Sequence, residues 1–480
     1  MTLTSAFNIT RSILTNAAAQ SAVVSTNIAN ASNPDYVRRV GTTSVSETGA
    51  SITGVARIRD DPLLKRLLSG ISVSSGQSSL YSGILSLRSI LGGNDYGTSP
   101  STYLGKLNTT LQLYRTSPSS SIAAQSVVNA ASDVALSLRS ASNAVQTLRT
   151  EADRDIAVGV DKLNGLLREF KITNDAVKAA TTGGSDAGDA LDQRDSLLKQ
   201  LSTFLGIKSV TRESGDMVLS TQDGTVLFET IPRTVTFEPT PSYAPDVVGN
   251  AVYIDGVQLS ASGANPVGRL SASLHLRDDL SVTFQAQVDE IARALVTNFA
   301  ETSGADGTQA AGLFVWNGSG VPAAPTLVTG MAATIAVNPA VVVSSGGDPS
   351  LLRDGGINGV AFVVNTSEEG GFTARLDAYL SGLSRGIAFD PAAGIGGGGS
   401  LLDYASLSVG WLEEQRSTSA SAADAADSIF ARAAESYSNA TGVNLDEELL
   451  SLMAIEQSYK AGTKLLMVIN EMIKSLIEAA

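Results

Sequence analysis

A single histidine, His275, stands between Leu274 and Leu276. One imidazole cannot build a two-histidine metal site. In a helical apolar pattern it reads as a packing or surface residue rather than a proton carrier. The 480 residues include no cysteine, which excludes disulfides, thiolate-bound zinc and a thiol nucleophile. Asp186, Asp189, Asp192 and Asp195 recur at three-residue steps and could suggest a cation site. They lack the EF-hand register and its closing glutamate. Asp192, Arg194 and Asp195 therefore read as helix-start and interhelical salt links. The run Gly396 to Gly399 is not followed by the Lys-Ser/Thr of a phosphate loop, and reads as a flexible hinge. Arg38-Arg39 is too short a basic run for nucleic acid. No catalytic, cofactor-binding or metal-ligating residue is expected, no cofactor is implied, and the chain reads as a non-enzyme.

Composition points the same way. Hydrophobic residues make up 43 %, enough for real cores, while aromatics are 5 % and charged residues 17 %. The net charge of -14 argues against nucleic acid or an anionic membrane surface, because both require clustered Lys and Arg. Length suggests about three domains at roughly 150 residues each. No stretch reaches the ~18 consecutive apolar residues of a membrane span. The segment from Leu3 to Ile28 is broken by Asn8, Arg11, Asn16 and Gln20, without the basic start and compact apolar core of a signal peptide.

What remains to be positioned is apolar stripes. Leu3, Phe7, Thr10, Leu14, Ala17, Ser21, Val24 and Ile28 recur at alternating steps of four and three, the seam of a coiled coil. At the other end Leu445, Leu452, Tyr459, Leu466 and Ile473 recur every seven residues. Ile455, Ile469 and Leu476 make a second row. Gly442 and Asn444 precede that helix, and Glu447 and Glu448 occupy its first turn, where the dipole favours anions. Gly462 falls on the second row and marks close helix contact. Both ends are built to pair, with each other and with other copies.

Further helices are expected over Pro62 to Leu91, over Ser121 to Ala180 as two helices, over Leu191 to Leu205, over Gly268 to Glu301 and over Leu401 to Ala440. Gly206 to Leu259 alternates in short runs punctuated by Gly215-Asp216 and Asp223-Gly224, a small antiparallel β region. Gly304 to Pro391, rich in Gly, Pro and Val, also reads as β. The expected class is α+β and multidomain: coaxial N- and C-terminal helices and a helical stalk, with β-rich insertions. Residues 1–56 with 435–480 form a coiled-coil assembly core. Residues 57–202 with 268–302 and 400–434 form a helical stalk. Residues 203–267 form the small β region, and 303–399 a variable β-rich domain.

Several blocks carry a family resemblance. Asn27-Ile28-Ala29-Asn30, then Ala31-Ser32-Asn33-Pro34-Asp35-Tyr36 and Arg38, resembles the N-terminal signature of flagellar rod, hook and hook-associated proteins, whose usual form has glycine where Asp35 stands. Arg57 to Leu64, the block Ala190-Leu191-Asp192-Gln193-Arg194-Asp195-Ser196-Leu197-Leu198, Gly268 to Phe299, and Gly442 to Glu448 with Gln457 to Ala461 and Glu471-Met472 resemble the hook-associated protein of the hook–filament junction, the FlgK family. The resemblance implies a structural subunit in a ring between hook and filament, outside the cell. It implies export through the flagellar type III channel without a cleaved signal. It further implies as partners other copies, hook protein, a second hook-associated junction protein, and an export chaperone at the C-terminal helix. The residues expected to carry assembly are Leu3, Phe7, Leu14, Val24, Asn27, Ile28, Asn30, Pro34 and Tyr36, with Leu445, Leu452, Ile455, Tyr459, Leu466, Ile469, Ile473 and Leu476. The alternatives are another axial flagellar protein, hook- or flagellin-like, and a soluble enzyme with an accessory β domain. The Leu191 to Asp195 block disfavours hook, and Asn27 to Asn30 disfavours flagellin.

Overall fold

The computed structural model describes residues 3–46, 49–259, 265–318 and 320–478. Residues 260–264 of the expected small β region, and the outermost residues of the expected assembly core, lie outside them. The chain begins with helix α1 (Leu3–Ala29). An antiparallel hairpin follows, β1 (Arg39–Ser46) and β2 (Gly49–Arg57), with a register shift between Thr42 and Thr43. Helix α2 (Asp61–Ile90) starts where the Asp60 side chain accepts from Leu63 N at 2.9 Å. Helix α3 (Pro100–Thr116) has Ser99 as its cap and proline in its first turn. Neither the hairpin nor α3 is among the expected elements, although Leu104, Leu107, Leu111 and Tyr114 of α3 keep helical spacing.

Helix α4 (Ser121–Gly183) is one rod of 63 residues, not two helices. No proline interrupts it, and Gly159 serves contact rather than a break. A Cβ there would stand 2.7 Å from Leu270. It ends at Gly184, whose φ of 67° suits a left-handed cap. Helix α5 (Gly188–Phe204) leads into the antiparallel meander β3 (Ile207–Thr211), β4 (Met217–Thr221), β5 (Val226–Glu229) and β6 (Ile231–Pro232). The strands β7 (Val235–Thr236), β8 (Tyr253–Ile254) and β9 (Val257–Gln258) form a second small sheet. Helix α6 (Arg269–His275) continues through a π-helical turn, Leu276–Leu280, into α7 (Ser281–Asn298). In that turn Arg277 is buried, donating to Asp153 at 2.7 Å and Asp278 at 2.8 Å.

The segment from 304 to 391 departs from expectation. It contains α8 (Met331–Thr334), α9 (Leu351–Asp354), α10 (Ala374–Ser384) and several single 3-10 turns, with strands of two residues only. Val315 and Val337 share one two-residue ladder, while Val343, Val360 and Val364 are exposed, so β-propensity finds little partner strand to extend. Gly396 to Gly399 is not a free hinge either. Gly398–Gly399 pairs with Ile387–Ala388, and Phe389 N donates to Gly397 O at 3.1 Å. The chain closes with α11 (Leu401–Thr441) and α12 (Leu445–Glu478).

Two large cores organise this α+β architecture, and α4 runs through both. One gathers α3, the first half of α4, α7, α10 and the start of α11 around Leu104, Val134, Ile291, Phe299 and Tyr404. The other joins α2, the second half of α4, α5 and the β3–β5 sheet around Leu67, Leu163, Phe170, Leu198 and Phe228. Helix α11 returns antiparallel along α2, and Gly70 lets the Phe430 backbone approach where a Cβ would meet it at 3.1 Å. The α1–α12 pair stands on a far smaller patch: Ala17, Val24 and Ile455, with Ile28 and Leu452 against them.

Candidate assembly interface

Helices α1 and α12 pack antiparallel, Asn27 beside Glu448 and Leu14 beside Gly462. A Cβ on Gly462 would stand 3.0 Å from Leu14 and 3.2 Å from Ile13, so glycine sets the interhelical distance there. On α12 the row turned to α1 is Ile455, Gly462 and Ile469, all buried, with Leu452, Leu466 and Ile473 half-buried beside it. On α1 the buried positions are Thr10, Ala17, Val24 and Asn27, and Leu3, Leu14 and Ile28 are half-buried. Phe7, Leu445, Tyr459 and Leu476 do not join this seam and are exposed. The row Leu445, Leu452, Tyr459, Leu466 and Ile473 is thus only partly covered by α1. Thr10 and Ala17 are small, so the partner helix settles on the narrower second row.

Helix α12 is left apolar on a further face. Leu450, Ala454, Ser458, Ala461, Leu465, Val468, Met472 and Leu476 follow at steps of three and four and are all exposed, Leu450 at 62 % and Leu476 at 60 %. Helix α1 carries Arg11 as its single charged residue in 27.

At the base of the pair a polar joint ties the helices to the body. Asn27, 1 % exposed, uses its whole carboxamide. Nδ2 donates to Arg39 O at 2.9 Å and Glu448 Oε2 at 3.1 Å; Oδ1 accepts from Tyr36 OH at 2.8 Å and Arg39 N at 3.1 Å. Arg38 Nε donates to Glu448 Oε1 at 2.6 Å, and Arg38 N to Thr441 O at 2.8 Å. Asn444 caps α12 by accepting from Asp446 N at 3.0 Å. One layer further, Arg39 reaches Asp189 and Asp192, while Arg57 bridges Asp192 at 2.7 Å and Asp195 at 2.6 Å. Burial opposes the Arg57 charge, but Asp195 and Asp192 outweigh it and hold the guanidinium above its ordinary range. Burial pushes the Tyr437 phenol up to about 12, with the Asp195 carboxylate adding to it.

The aspartates of α5 therefore bind arginines of the β1–β2 hairpin rather than a cation. Among the described residues no cluster of metal-ligating side chains occurs. Arg194 does not share these ion pairs. It donates to Asn174 at 3.2 Å and Gly215 O at 2.7 Å, and burial lowers it to about 10. His275 pairs with Asp279 at 3.0 Å. Sequence reasoning missed Arg39, Arg57, Tyr437 and Glu448 as partners. The signal it held was the paired Asp192 and Asp195 and an unassigned Arg38-Arg39.

Residues 86–314 match the family described as "Flagellar hook-associated protein FlgK helical domain". Residues 434–479 match "Flagellar basal body rod FlgEFG protein C-terminal". The chain thus carries the helical domain of the FlgK family of flagellar hook-associated proteins. No curated protein matches it. The flagellar hook junction protein FlgK from Burkholderia pseudomallei is similar over 53 % of this chain and 47 % of that one, at 19 % identity and a TM-score of 0.43. The alignment thus spans under half the length of that solved protein.

In this chain the signature departure at Asp35 has a structural answer. Its φ is not positive, so the turn does not require glycine. Asp35 accepts from Lys199 Nζ at 2.8 Å and Ser196 Oγ at 2.9 Å, fastening the arm after α1 to α5. Burial alone would raise this carboxyl, but Lys199 and Ser196 hold it below the usual carboxylate range. Beside the arm lies an open cleft of about 750 Å³, lined by Asn30 to Tyr36, Leu67, Ile71, Phe430 and the turn from Thr441 to Asn444. Pro34 is exposed at its rim, while Asn30 turns back to donate to Thr26 O at 2.9 Å.

Proposed function

We propose that this chain is a non-enzymatic structural subunit at the junction between flagellar hook and filament, assembled through α1 and α12. The observation that carries the reading is the uncovered apolar face of α12 beside an almost uncharged α1. A helix that is apolar beyond its one partner face belongs inside a larger assembly. Residues 1–56 with 435–480 act as the assembly core, with the polar joint fixing how the pair leaves the stalk of 57–202, 268–302 and 400–434. Residues 203–267 and 303–399 pack into the two cores of that stalk. The partners are other copies in a ring, hook protein on one side and a second hook-associated protein on the other. An export chaperone holds α12 beforehand, and the chain leaves the cell by the flagellar channel without a cleaved signal. The weak burial between α1 and α12 suits such export, because the pair orders fully only when copies pack around it.

The chain's lack of cysteine supplies the test. Ala22 and Ala461 are both exposed on the outer sides of the pair. The antiparallel register separates them by roughly 12 Å along the axis, beyond the reach of a disulfide within one chain. In cells carrying Ala22→Cys with Ala461→Cys, oxidised flagella should yield covalent oligomers of this chain. Normal flagella in which the chain stays monomeric under oxidation, whatever pair of outer positions is chosen, would remove helix-mediated assembly.

A further inference from the structure

Asparagine before glycine is the sequence most open to spontaneous loss of ammonia, because glycine has no Cβ to hinder attack by its own amide nitrogen. The chain holds three such pairs: Asn164-Gly165, Asn317-Gly318 and Asn358-Gly359.

Two of them are locked by the fold. Asn164 lies within α4. Its Nδ2 donates to Val235 O at 2.8 Å and its Oδ1 accepts from Val235 N at 3.0 Å, so the carboxamide is held flat against β7. Asn358 Nδ2 donates to Glu301 Oε2 at 2.8 Å and to Ala311 O at 2.9 Å, and the Gly359 N–H is spent on Gly356 O at 2.9 Å. Neither carboxamide carbon is free to swing onto the following nitrogen.

Asn317 is not held in this way. It is exposed, and it lies in a bend just after the strand Phe314–Val315. Among the described residues neither its carboxamide nor the Gly318 N–H has a hydrogen-bond partner. We propose that Asn317 is a site of self-modification that introduces a new carboxylate into residues 303–399. The Gly318 amide nitrogen attacks Asn317 Cγ and forms a C–N bond. The Cγ–Nδ2 bond breaks, and the departing nitrogen leaves as ammonia with the proton from Gly318. Water then adds to either carbonyl of the cyclic imide and opens it to aspartate or isoaspartate. Water is the only co-reactant, and no electron changes hands.

The surroundings would register the change. The Trp316 ring packs over Gly318 closely enough that a Cβ there would collide with it, and Trp316 Nε1 donates to Gly320 O at 3.1 Å. Isoaspartate lengthens the backbone beneath that ring, and either product adds one negative charge to a chain already at -14.

The test is to incubate the intact folded chain at neutral to mildly alkaline pH in heavy-oxygen water and follow the three Asn-Gly peptides by mass spectrometry. Asn317 should convert at least about tenfold faster than Asn164 or Asn358, the factor that retained hydrogen bonds impose on the other two. In denaturant the three rates should converge, because the protection comes from the fold. Equal native rates, or a native rate at Asn358 above that at Asn317, would overturn the proposal. Asn317→Gln, an exposed change, should remove the acidic variant that accumulates on isoelectric focusing and keep Trp316 emission constant with time. Accumulation at an unchanged rate would also overturn it.

Discussion

Asn27 Nδ2 donates to Glu448 Oε2 at 3.1 Å, joining two buried residues 421 positions apart. The same Asn27 oxygen receives Tyr36 OH and Arg39 N. Asn27→Ala leaves the Tyr36 hydroxyl and the Arg39 amide without their acceptor, at about 1–3 kcal/mol for each one left unpaired. The loss falls on the joint and not on the two large cores. Hydrogen exchange should accelerate sharply in α1 and the first turns of α12, while α4 keeps its protection. Unchanged exchange in α1 would show that the joint does not hold the pair.

The seam and the open face of α12 separate by substitution. Gly462→Val drives a side chain into Leu14 and Ile13. Overpacking of this kind costs about 1–3 kcal/mol, so the isolated chain should lose helicity in its termini and be cut faster by protease there. Retained protection would show that the helices can part at that point.

Val468→Asp acts elsewhere. Val468 is 52 % exposed in the single chain, so the monomer should melt as before, within about 0.5 kcal/mol. Burying that carboxylate between copies costs several kcal/mol. Cells should therefore build hooks, secrete the variant at normal levels and fail to attach filaments. Normal swimming would remove this face from the assembly.

Asp35 offers a pH test. Its carboxyl is held below its ordinary value by Lys199 and Ser196 against the opposing effect of burial. The stabilisation is therefore present above the ordinary Asp pKa and is lost as pH falls through the depressed one. The pair is partly exposed, so its worth is at most about 1 kcal/mol. Asp35→Gly and Lys199→Met should each loosen the arm at neutral pH by that much. Their effects should not add in the double variant, and the difference from the parent should vanish in strong acid. Additive losses in urea titrations would show that the two side chains act separately.

Asp289 should act with the opposite sign. It is buried on α7, accepting from Gly330 N and Ala332 N at 2.8 Å each. Burial raises it from 3.8 to about 6 against those hydrogen bonds. Between these values the folded chain holds a proton the unfolded chain has released. This group therefore makes stability fall as pH rises from about 3.8 to about 6. Asp289→Asn should flatten that slope in denaturant midpoints, although it weakens the hold on α8 at every pH. An unchanged slope would place the titration elsewhere.

Much of this protein is legible in one dimension. Helix α2, helix α5 and the terminal helices follow from apolar spacing, because a helix repeats every 3.6 residues whatever it packs against. Gly462 reads as a contact because periodicity resumes beyond it. The expectation of no catalytic centre rests on residue types alone: one histidine, no cysteine, no phosphate loop. Composition also settles that α1 is nearly uncharged, and a resemblance in Asn27 to Tyr36 and Ala190 to Leu198 points to the family.

Other features exist only in three dimensions. The continuity of α4 was decided by two separate cores, which bury its two halves and leave no reason to break. The segment 304–391 has strand-like composition but folds as short helices and turns, since a strand needs a partner that only tertiary placement supplies. Which row of α12 meets α1 was set by side-chain size on α1, not by the strength of either heptad. The joint is the plainest case. Asn27, Arg57, Asp192 and Glu448 lie far apart in sequence, and a charge becomes an ion pair only where the fold brings its opposite within hydrogen-bond distance and removes the water between them.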